Sequence, residues 1–199
     1  MAILPKRLPV LLQVTCLAGL LATVPVTSVA ATQERPDDTL RQILTAAIES
    51  SDSFDDRFDA EVWLTDMSNR LTTRVQDPEE RLTILKTVHY EARRARLEPE
   101  LVLAVINVES NYDRFAISSA GARGLMQIMP FWLDEIGHPE DNLFHIKTNI
   151  RFGCTILSYY LKRENGDMYR ALARYNGSVG KRWYPNRVYS ALSSRWYKQ

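Results

Sequence analysis

Six consecutive apolar residues, from Leu101 to Ile106, constrain the fold of this chain more than any other feature. They follow Pro99 and Glu100, which are residue types favoured in the first turn of a helix. A helix that is apolar on nearly every side is stable only when other elements enclose it. We therefore expect a buried central helix from Glu100 to about Ser110, with the other elements packed around it.

The other predicted elements are also helices. Apolar residues recur at intervals of three and four positions, which is the period of an amphipathic helix. Asp77, Pro78 and Glu79 form a strong helix start, since they supply a capping carboxylate, a first-turn proline and an acid near the positive dipole end. The further predicted helices cover about 40–48, 54–75, 78–96, 130–137, 146–165, 167–175 and 185–197. No stretch of four or more residues alternates convincingly like a strand, so the predicted class is mainly α.

The first thirty residues are typical of an export signal. Lys6 and Arg7 precede an apolar run from Leu8 to about Val26, and a small-residue cleavage pattern ends at Ala30. The run is interrupted by Pro9, Gln13, Thr15 and Pro25, which makes it a poor permanent membrane span. We expect cleavage after Ala30 and a periplasmic location, with membrane contact only if the signal stays uncleaved.

Charge is distributed unevenly after the signal. Residues 31–80 contain 13 acidic and 5 basic side chains, whereas residues 81–199 contain 18 basic and 11 acidic ones. The second part favours an anionic polymer, although an exported protein rarely meets nucleic acid, and no nucleic-acid partner is predicted. Removal of the signal would leave Cys154 as the only thiol, which cannot form an internal disulfide and is predicted to be buried.

Glu109 ends the apolar helix and is the first candidate for chemistry. Desolvation at the edge of the core and the negative end of the helix dipole would both raise the pKa of its carboxyl. A carboxylic acid that is still protonated near neutral pH is what a glycosidase needs to protonate a leaving oxygen. From position alone, a glutamate that merely emerges into solvent at a helix end remains an open alternative.

The segment from Ser118 to Pro130 is the second candidate. Its two glycines would let the backbone approach a ligand closely, and the amide of Gln127 can both donate and accept, as recognition of an acetamido sugar requires. A glycine-rich turn with Met126 and Met129 as core residues is the structural alternative.

Three segments resemble the signature motifs of the soluble lytic transglycosylase family. These are Glu109-Ser110, the run from Gly121 to Pro130, and the five residues from Ala173 to Gly177, in that order. The resemblance covers about residues 85–195 and implies a lysozyme-like, mainly α catalytic domain. With the export signal and the amphipathic patterns that precede it, the chain divides into a signal peptide at 1–30, a small helical N-terminal accessory region at 31–77, and the catalytic domain at 78–199.

The resemblance also implies residue roles. Glu109 takes the general acid/base role, and Tyr175 matches a phenol beside the catalytic carboxyl. The substrate-binding positions that it implies are Ser118, Gln127, Met126, Met129 and Asn176. The third motif departs from the family pattern, because Gly177-Ser178 stands where many relatives have Ala-Gly, and this puts the local subsite shape in doubt.

The implied reaction cleaves the β-1,4 bond between N-acetylmuramic acid and N-acetylglucosamine and forms a 1,6-anhydromuramoyl product. The implied partners are the glycan strands of peptidoglycan, with no cofactor, no metal and a monomeric enzyme. The three histidines lack metal-ligand spacing. Two alternatives stay open, a hydrolytic muramidase and a catalytically idle wall-binding module. Asp113 as a second catalytic carboxylate is a further hypothesis, although a loop aspartate is ordinarily part of a turn.

Overall fold

The computed structural model describes residues 56–138 and 140–197. The predicted export signal and the predicted helix at 40–48 lie outside this part of the chain. Within it there are seven α-helices and one π-helical turn, and no strand; the only β-type pairing is a pair of isolated bridges around Arg123. The elements are α1 (Arg57–Leu71), α2 (Pro78–Ala95), α3 (Pro99–Glu109), α4 (Trp132–Ile136), α5 (Ile146–Arg163), α6 (Met168–Tyr175), α7 (Trp183–Ala191) and the π-helical turn (Leu192–Trp196).

The predicted start of α2 is confirmed in detail. A side-chain oxygen of Asp77 accepts a hydrogen bond from the backbone N–H of Glu79 at 3.1 Å, and Pro78 is the first helical residue. The helix ends at Ala95, and its C-cap is Arg96, whose φ of 57° places it in the left-handed region. Its backbone N–H there donates to the carbonyl of Ala92, so a carbonyl at the helix end is satisfied.

The central buried helix is also confirmed. All six apolar residues from Leu101 to Ile106 are buried, and α3 packs against α2, α7 and the π-helical turn. Burial of one such aliphatic side chain stabilises the fold by about 1.5–3 kcal/mol. The polar end of α3 therefore has a fixed position relative to the surrounding helices.

Helix α1 packs into the same hydrophobic core as the helices that follow it. Leu64, Met67 and Leu71 are buried members of this core, and the indole N–H of Trp63 donates to a carboxylate oxygen of Glu100 at 2.7 Å. The described part of the predicted accessory region is therefore continuous with the main core in its packing. The domain boundary at residue 77 remains a prediction.

Cys154 lies on α5 and is fully buried, as the sequence predicted. Burial raises the pKa of its thiol far above the ordinary value, so the side chain behaves as a small apolar group. In the described ranges, none of the helices is long and apolar enough to cross a membrane.

Candidate active site

Glu109 is the last residue of α3 and lines an open cleft of about 530 Å³. The cleft lies between the end of α3, the loop that follows it and one residue of α7. Glu109 is the only carboxylate among the cleft-lining residues. These residues are Asn107, Val108, Glu109, Ser110, Asn111, Ala116, Ile117, Ser118, Gln127 and Arg187.

The half-buried carboxyl of Glu109 holds a proton near neutral pH. Desolvation is the largest effect on it, and it raises the pKa from the ordinary 4.5 to about 7. Hydrogen bonds from Tyr184 and Asn176 and the positive charge of Arg187 act in the opposite direction, but burial outweighs them. At pH 7 the group therefore populates both the acid form, which can donate a proton, and the carboxylate, which can accept one.

Tyr184 makes the direct contact with this carboxyl, and the sequence did not identify it. Its hydroxyl donates to Oε1 of Glu109 at 2.6 Å, and the side chain is only 1% exposed. Tyr184 is the second residue of α7. Its contact with Glu109, 75 positions earlier, is not indicated by any periodic pattern in the sequence.

Tyr175 lies close to Glu109, since the charge of that carboxylate helps to raise the pKa of the phenol, after burial as the main cause. Its hydroxyl, however, donates to the backbone carbonyl of Met126 at 2.7 Å. This bond ties the end of α6 to the glycine-rich loop. The phenol of Tyr175 therefore lies near the carboxyl, as predicted, but its hydroxyl is hydrogen-bonded to the glycine-rich loop and not to Glu109.

The glycine-rich loop is held by buried polar contacts. Asn149, on α5, accepts from the backbone N–H of Met126 at 2.7 Å and donates to the carbonyls of Leu143 and Arg123 at 2.7 and 2.9 Å. Gly124 has a φ of +75°, and a Cβ there would collide with the Asn149 side chain. Glycine is required at position 124 because it adopts this positive φ readily and has no Cβ to collide with Asn149.

Ser110 connects the end of α3 to this loop. Its hydroxyl donates to the carbonyl of Leu125 at 2.8 Å and accepts from the backbone N–H of Tyr112 at 3.1 Å. The serine that follows Glu109 in the first motif therefore fixes the distance between the carboxyl and the loop. That distance sets where a ligand atom can lie in the cleft.

Ser118 and Gln127 both line the cleft, as their predicted roles require. The Ser118 hydroxyl accepts from the backbone N–H of Ala122 at 3.1 Å, which leaves its own O–H available as a donor. The amide nitrogen of Gln127 donates to the carbonyls of Ala116 and Gly124 at 3.1 and 3.0 Å. Gln127 therefore offers a ligand only its amide oxygen, as an acceptor, rather than the donor and acceptor pair expected from the sequence.

Met126 corrects one expectation. Its side chain is 0% exposed and packs against Gly153 of α5, so it belongs to the core and does not line the cleft. The absence of a Cβ at Gly153 provides the space that the thioether fills. The structural alternative therefore fits Met126. Met129 is half-buried and is neither among the cleft-lining residues nor among those of the hydrophobic core, so its predicted role stays a prediction.

Asn176 acts on the Glu109 carboxyl, whereas Asp113 has the turn role that a loop aspartate ordinarily takes. Asn176 follows α6, and its amide hydrogen bond lowers the pKa of Glu109, so it acts on the carboxyl as well as on the turn. A carboxylate oxygen of Asp113 accepts from the backbone N–H of Phe115 at 2.9 Å, which is ordinary turn chemistry. Asp113 does not line the cleft.

In the two described ranges, no group of three or more His, Cys, Asp or Glu side chains could hold a metal ion.

The raised pKa of Glu109 predicts a pH-dependent gain in stability for Glu109→Gln. The folded protein keeps this proton up to about pH 7, whereas an unfolded glutamate loses it near 4.5, so the wild type loses stability as the pH rises between these values. Relative to wild type, the variant should gain about 1–3 kcal/mol between pH 4 and pH 8. Urea unfolding at both pH values measures this, with exposed Glu61→Gln as the control that should show no such gain.

Comparisons with known proteins agree with this arrangement. A family model described as the transglycosylase SLT domain matches residues 86–194. A transglycosylase of Enterobacteria phage PRD1 is 32% identical over 110 residues, which cover 52% of this chain and 40% of the relative. Membrane-bound lytic murein transglycosylase C of Actinobacillus pleuropneumoniae serotype 5b is 44% identical over 46 residues, 23% of this chain and 13% of the relative. The chain thus matches less than half the length of these relatives.

A solved structure supports the fold. An inactive mutant of the lytic transglycosylase Slt from Pseudomonas aeruginosa aligns with a TM-score of 0.50 and 20% identity, over 80% of this chain and 36% of that one. Both the family resemblance and the mainly α, lysozyme-like fold expected from the motifs are confirmed. The chain therefore belongs to the transglycosylase SLT domain family.

Proposed function

We propose that this protein is a peptidoglycan lytic transglycosylase with Glu109 as its only catalytic acid and base. Its substrate is a glycan strand, cleaved at the β-1,4 bond between N-acetylmuramic acid and N-acetylglucosamine. The observation that carries the proposal is the half-buried Glu109 carboxyl, whose pKa of about 7 lets one group act in both protonation states within an open cleft.

The proposed reaction has two proton transfers at one carboxyl. Protonated Glu109 donates to the bridging oxygen as the bond from C1 to that oxygen breaks, and the acetamido oxygen of the same sugar bonds to C1. The Glu109 carboxylate then takes the proton of the 6-hydroxyl as O6 attacks C1 and displaces the acetamido oxygen. The product is a 1,6-anhydro ring, no water is consumed, and Glu109 is protonated again.

The surroundings of Glu109 support this single-carboxylate route. Most glycosidases use two carboxylates on either side of the bond. Here the other cleft-lining polar groups near Glu109 are neutral or basic, and the nearby Asp113 is used in a turn. The amide oxygen of Gln127 and the hydroxyl of Ser118 are suited to the N–H and C=O of an acetamido group.

The name of one relative supports the proposed substrate. The Actinobacillus protein is called a membrane-bound murein transglycosylase, and murein is the polymer outside the cytoplasmic membrane on which we propose that this chain acts. A periplasmic location follows if residues 1–30 are a cleaved signal, which stays a prediction, as does the monomeric state.

Mass analysis of the fragments released from purified sacculi tests the reaction. Anhydro products should be lighter than hydrolytic ones by one water, about 18 mass units, since hydrolysis would add that water. Fragments with reducing ends would make this protein a muramidase that uses the same carboxyl. Binding to sacculi with no release of fragments would favour the wall-binding module.

We expect Tyr184→Phe to lower kcat about 10–100-fold, since the phenol that orients the Glu109 carboxyl is lost. The hydrogen bond from Tyr184 also lowers the pKa of Glu109, so the pKa of Glu109 should be higher in the variant. Because the acid form is active, the fall in rate at high pH should shift to higher pH. A pH–rate profile of the variant measures both effects.

Tyr175→Phe is the matched control for this prediction. It removes the bond to the carbonyl of Met126 and should mainly reduce stability, by about 1–3 kcal/mol. An unchanged pH–rate profile for Tyr184→Phe, or an equal shift in both variants, would argue against a specific role for Tyr184.

A further inference from the structure

Two phenylalanines and two arginines form a surface patch beside the cleft, which we name the aromatic shelf. Its members are Arg114, Phe115, Arg123 and Phe144. The ring centroids of Phe115 and Phe144 are 6.2 Å apart, with an angle of 41° between the planes. The guanidinium of Arg114 lies 4.5 Å from the centroid of Phe115, and that of Arg123 lies 6.0 Å from the centroid of Phe144.

The aromatic shelf leaves much apolar surface exposed and adjoins the cleft. Phe115 is 61% exposed and directly precedes Ala116 and Ile117, which line the cleft. Ile117 is itself 65% exposed, so apolar surface continues from the shelf into the cleft. Contiguous exposed apolar surface of this kind, rimmed by polar groups, marks ligand-binding grooves.

Side-chain hydrogen bonds fix the backbone at both phenylalanines. The N–H of Phe115 donates to the carboxylate of Asp113, and the N–H of Phe144 donates to the side-chain oxygen of Asn142, both at 2.9 Å. Each ring therefore follows a turn whose conformation is fixed by a side chain. A binding surface that is already ordered loses less entropy when a ligand arrives.

The arginines of the shelf retain unused binding capacity. In residues 56–138 and 140–197, neither Arg114 nor Arg123 forms an ion pair with a carboxylate. Guanidinium groups bind carboxylates through two parallel hydrogen bonds. The shelf thus combines one well-exposed ring, Phe115, and one partly exposed ring, Phe144, with two cations that no carboxylate pairs with in the described residues.

We propose that the aromatic shelf is an additional glycan-binding subsite. It holds a sugar ring of the same strand that occupies the cleft, and its guanidinium groups contact carboxylates on the peptide carried by that sugar. Apolar faces of sugar rings fit aromatic side chains, and the alternating peptides of the strand supply the anions. The inference rests on the proposed function, because it requires a glycan strand in the cleft.

Titration calorimetry with oligomers of N-acetylglucosamine tests the sugar contact. All proteins carry Glu109→Gln, which prevents turnover. We expect Phe115→Ala to weaken binding of the six-sugar oligomer about tenfold, which corresponds to 1.4 kcal/mol, and to leave the three-sugar oligomer within about twofold. Phe115→Trp should retain the affinity for the longer oligomer. Phe58→Ala is the matched control, since Phe58 is 71% exposed on α1, which contributes nothing to the cleft.

The charged contact needs a ligand with peptides. With six-sugar strands from peptidoglycan, Arg123→Gln should weaken binding about fivefold or more at low salt and have little effect on the uncharged oligomer. An unchanged affinity of Phe115→Ala for the six-sugar oligomer would overturn the subsite while leaving the proposed function intact. Failure of the Glu109→Gln protein to bind any of these ligands would overturn both.

Discussion

Glu109→Gln should cleave sacculi at least about 10³-fold more slowly than the wild type, because it removes both the proton donor and the proton acceptor of the proposed reaction. Glutamine has nearly the same shape as a protonated glutamate and keeps an oxygen that can accept from Tyr184. The fold and the binding of glycan strands should therefore be preserved. Release of soluble fragments measures the rate, and sedimentation with sacculi measures the binding.

Asp113→Asn is the matched control, since it makes the same chemical change in the loop that follows α3. Its carboxylate accepts a backbone hydrogen bond that an asparagine can also accept, so its rate should stay within about threefold of wild type. A loss comparable to that of Glu109→Gln would support a two-carboxylate reaction. Substantial turnover by Glu109→Gln would remove that residue from the acid role.

Asn149→Ala should reduce the free energy of unfolding by about 3–5 kcal/mol, because each stranded buried polar group costs about 1–3 kcal/mol. The change leaves the N–H of Met126 and the carbonyl of Leu143 without their partner. The carbonyl of Arg123 loses one of two donors, since the N–H of Ile128 still donates to it. Urea unfolding measures the loss. Activity at temperatures where the variant is folded should also fall, since these groups hold the loop that lines the cleft.

Asn142→Ala is the control for this second change. Its side-chain oxygen accepts a single backbone hydrogen bond in a more exposed turn, so its loss should cost below about 1 kcal/mol. Asn149→Asp should not rescue stability, since a carboxylate would face two carbonyl oxygens. If Asn149→Ala unfolded at the same urea concentration as Asn142→Ala, the contacts of Asn149 would not be the main anchor of the loop.

Local patterns in the sequence account for most of the helices. The cap at Asp77 and the apolar run of α3 lie within one or two turns of the structure that they determine, so propensity and periodicity are enough to find them. The same holds for Glu109, whose place at the end of a buried helix is itself a local feature. The raised pKa expected from that place agrees with its half-buried position.

Long-range contacts account for what the sequence could not predict. Tyr184 meets Glu109 only because α7 packs against α3, and nothing within a helical turn of Tyr184 indicates this. The burial of Met126 depends on the missing Cβ of Gly153, on another helix. The amide of Gln127 is engaged by a carbonyl 11 residues away, so its donor capacity could not be known beforehand. Such facts depend on tertiary packing rather than on residue type.

The contact between Tyr184 and Glu109 also bears on how activity is gained during folding. The carboxyl and its phenol partner are separated by 75 residues, and a contact so distant in sequence has a larger loop-closure entropy cost than the local contacts within a helix. In a partly folded chain in which α3 has formed but α7 has not docked, Glu109 would lack the hydrogen bond from Tyr184. Its carboxyl would also be more exposed to water. Its pKa would then fall toward that of an ordinary glutamate. The acid that the proposed reaction needs therefore forms only when α7 is in place, so the proposed activity depends on completion of this packing.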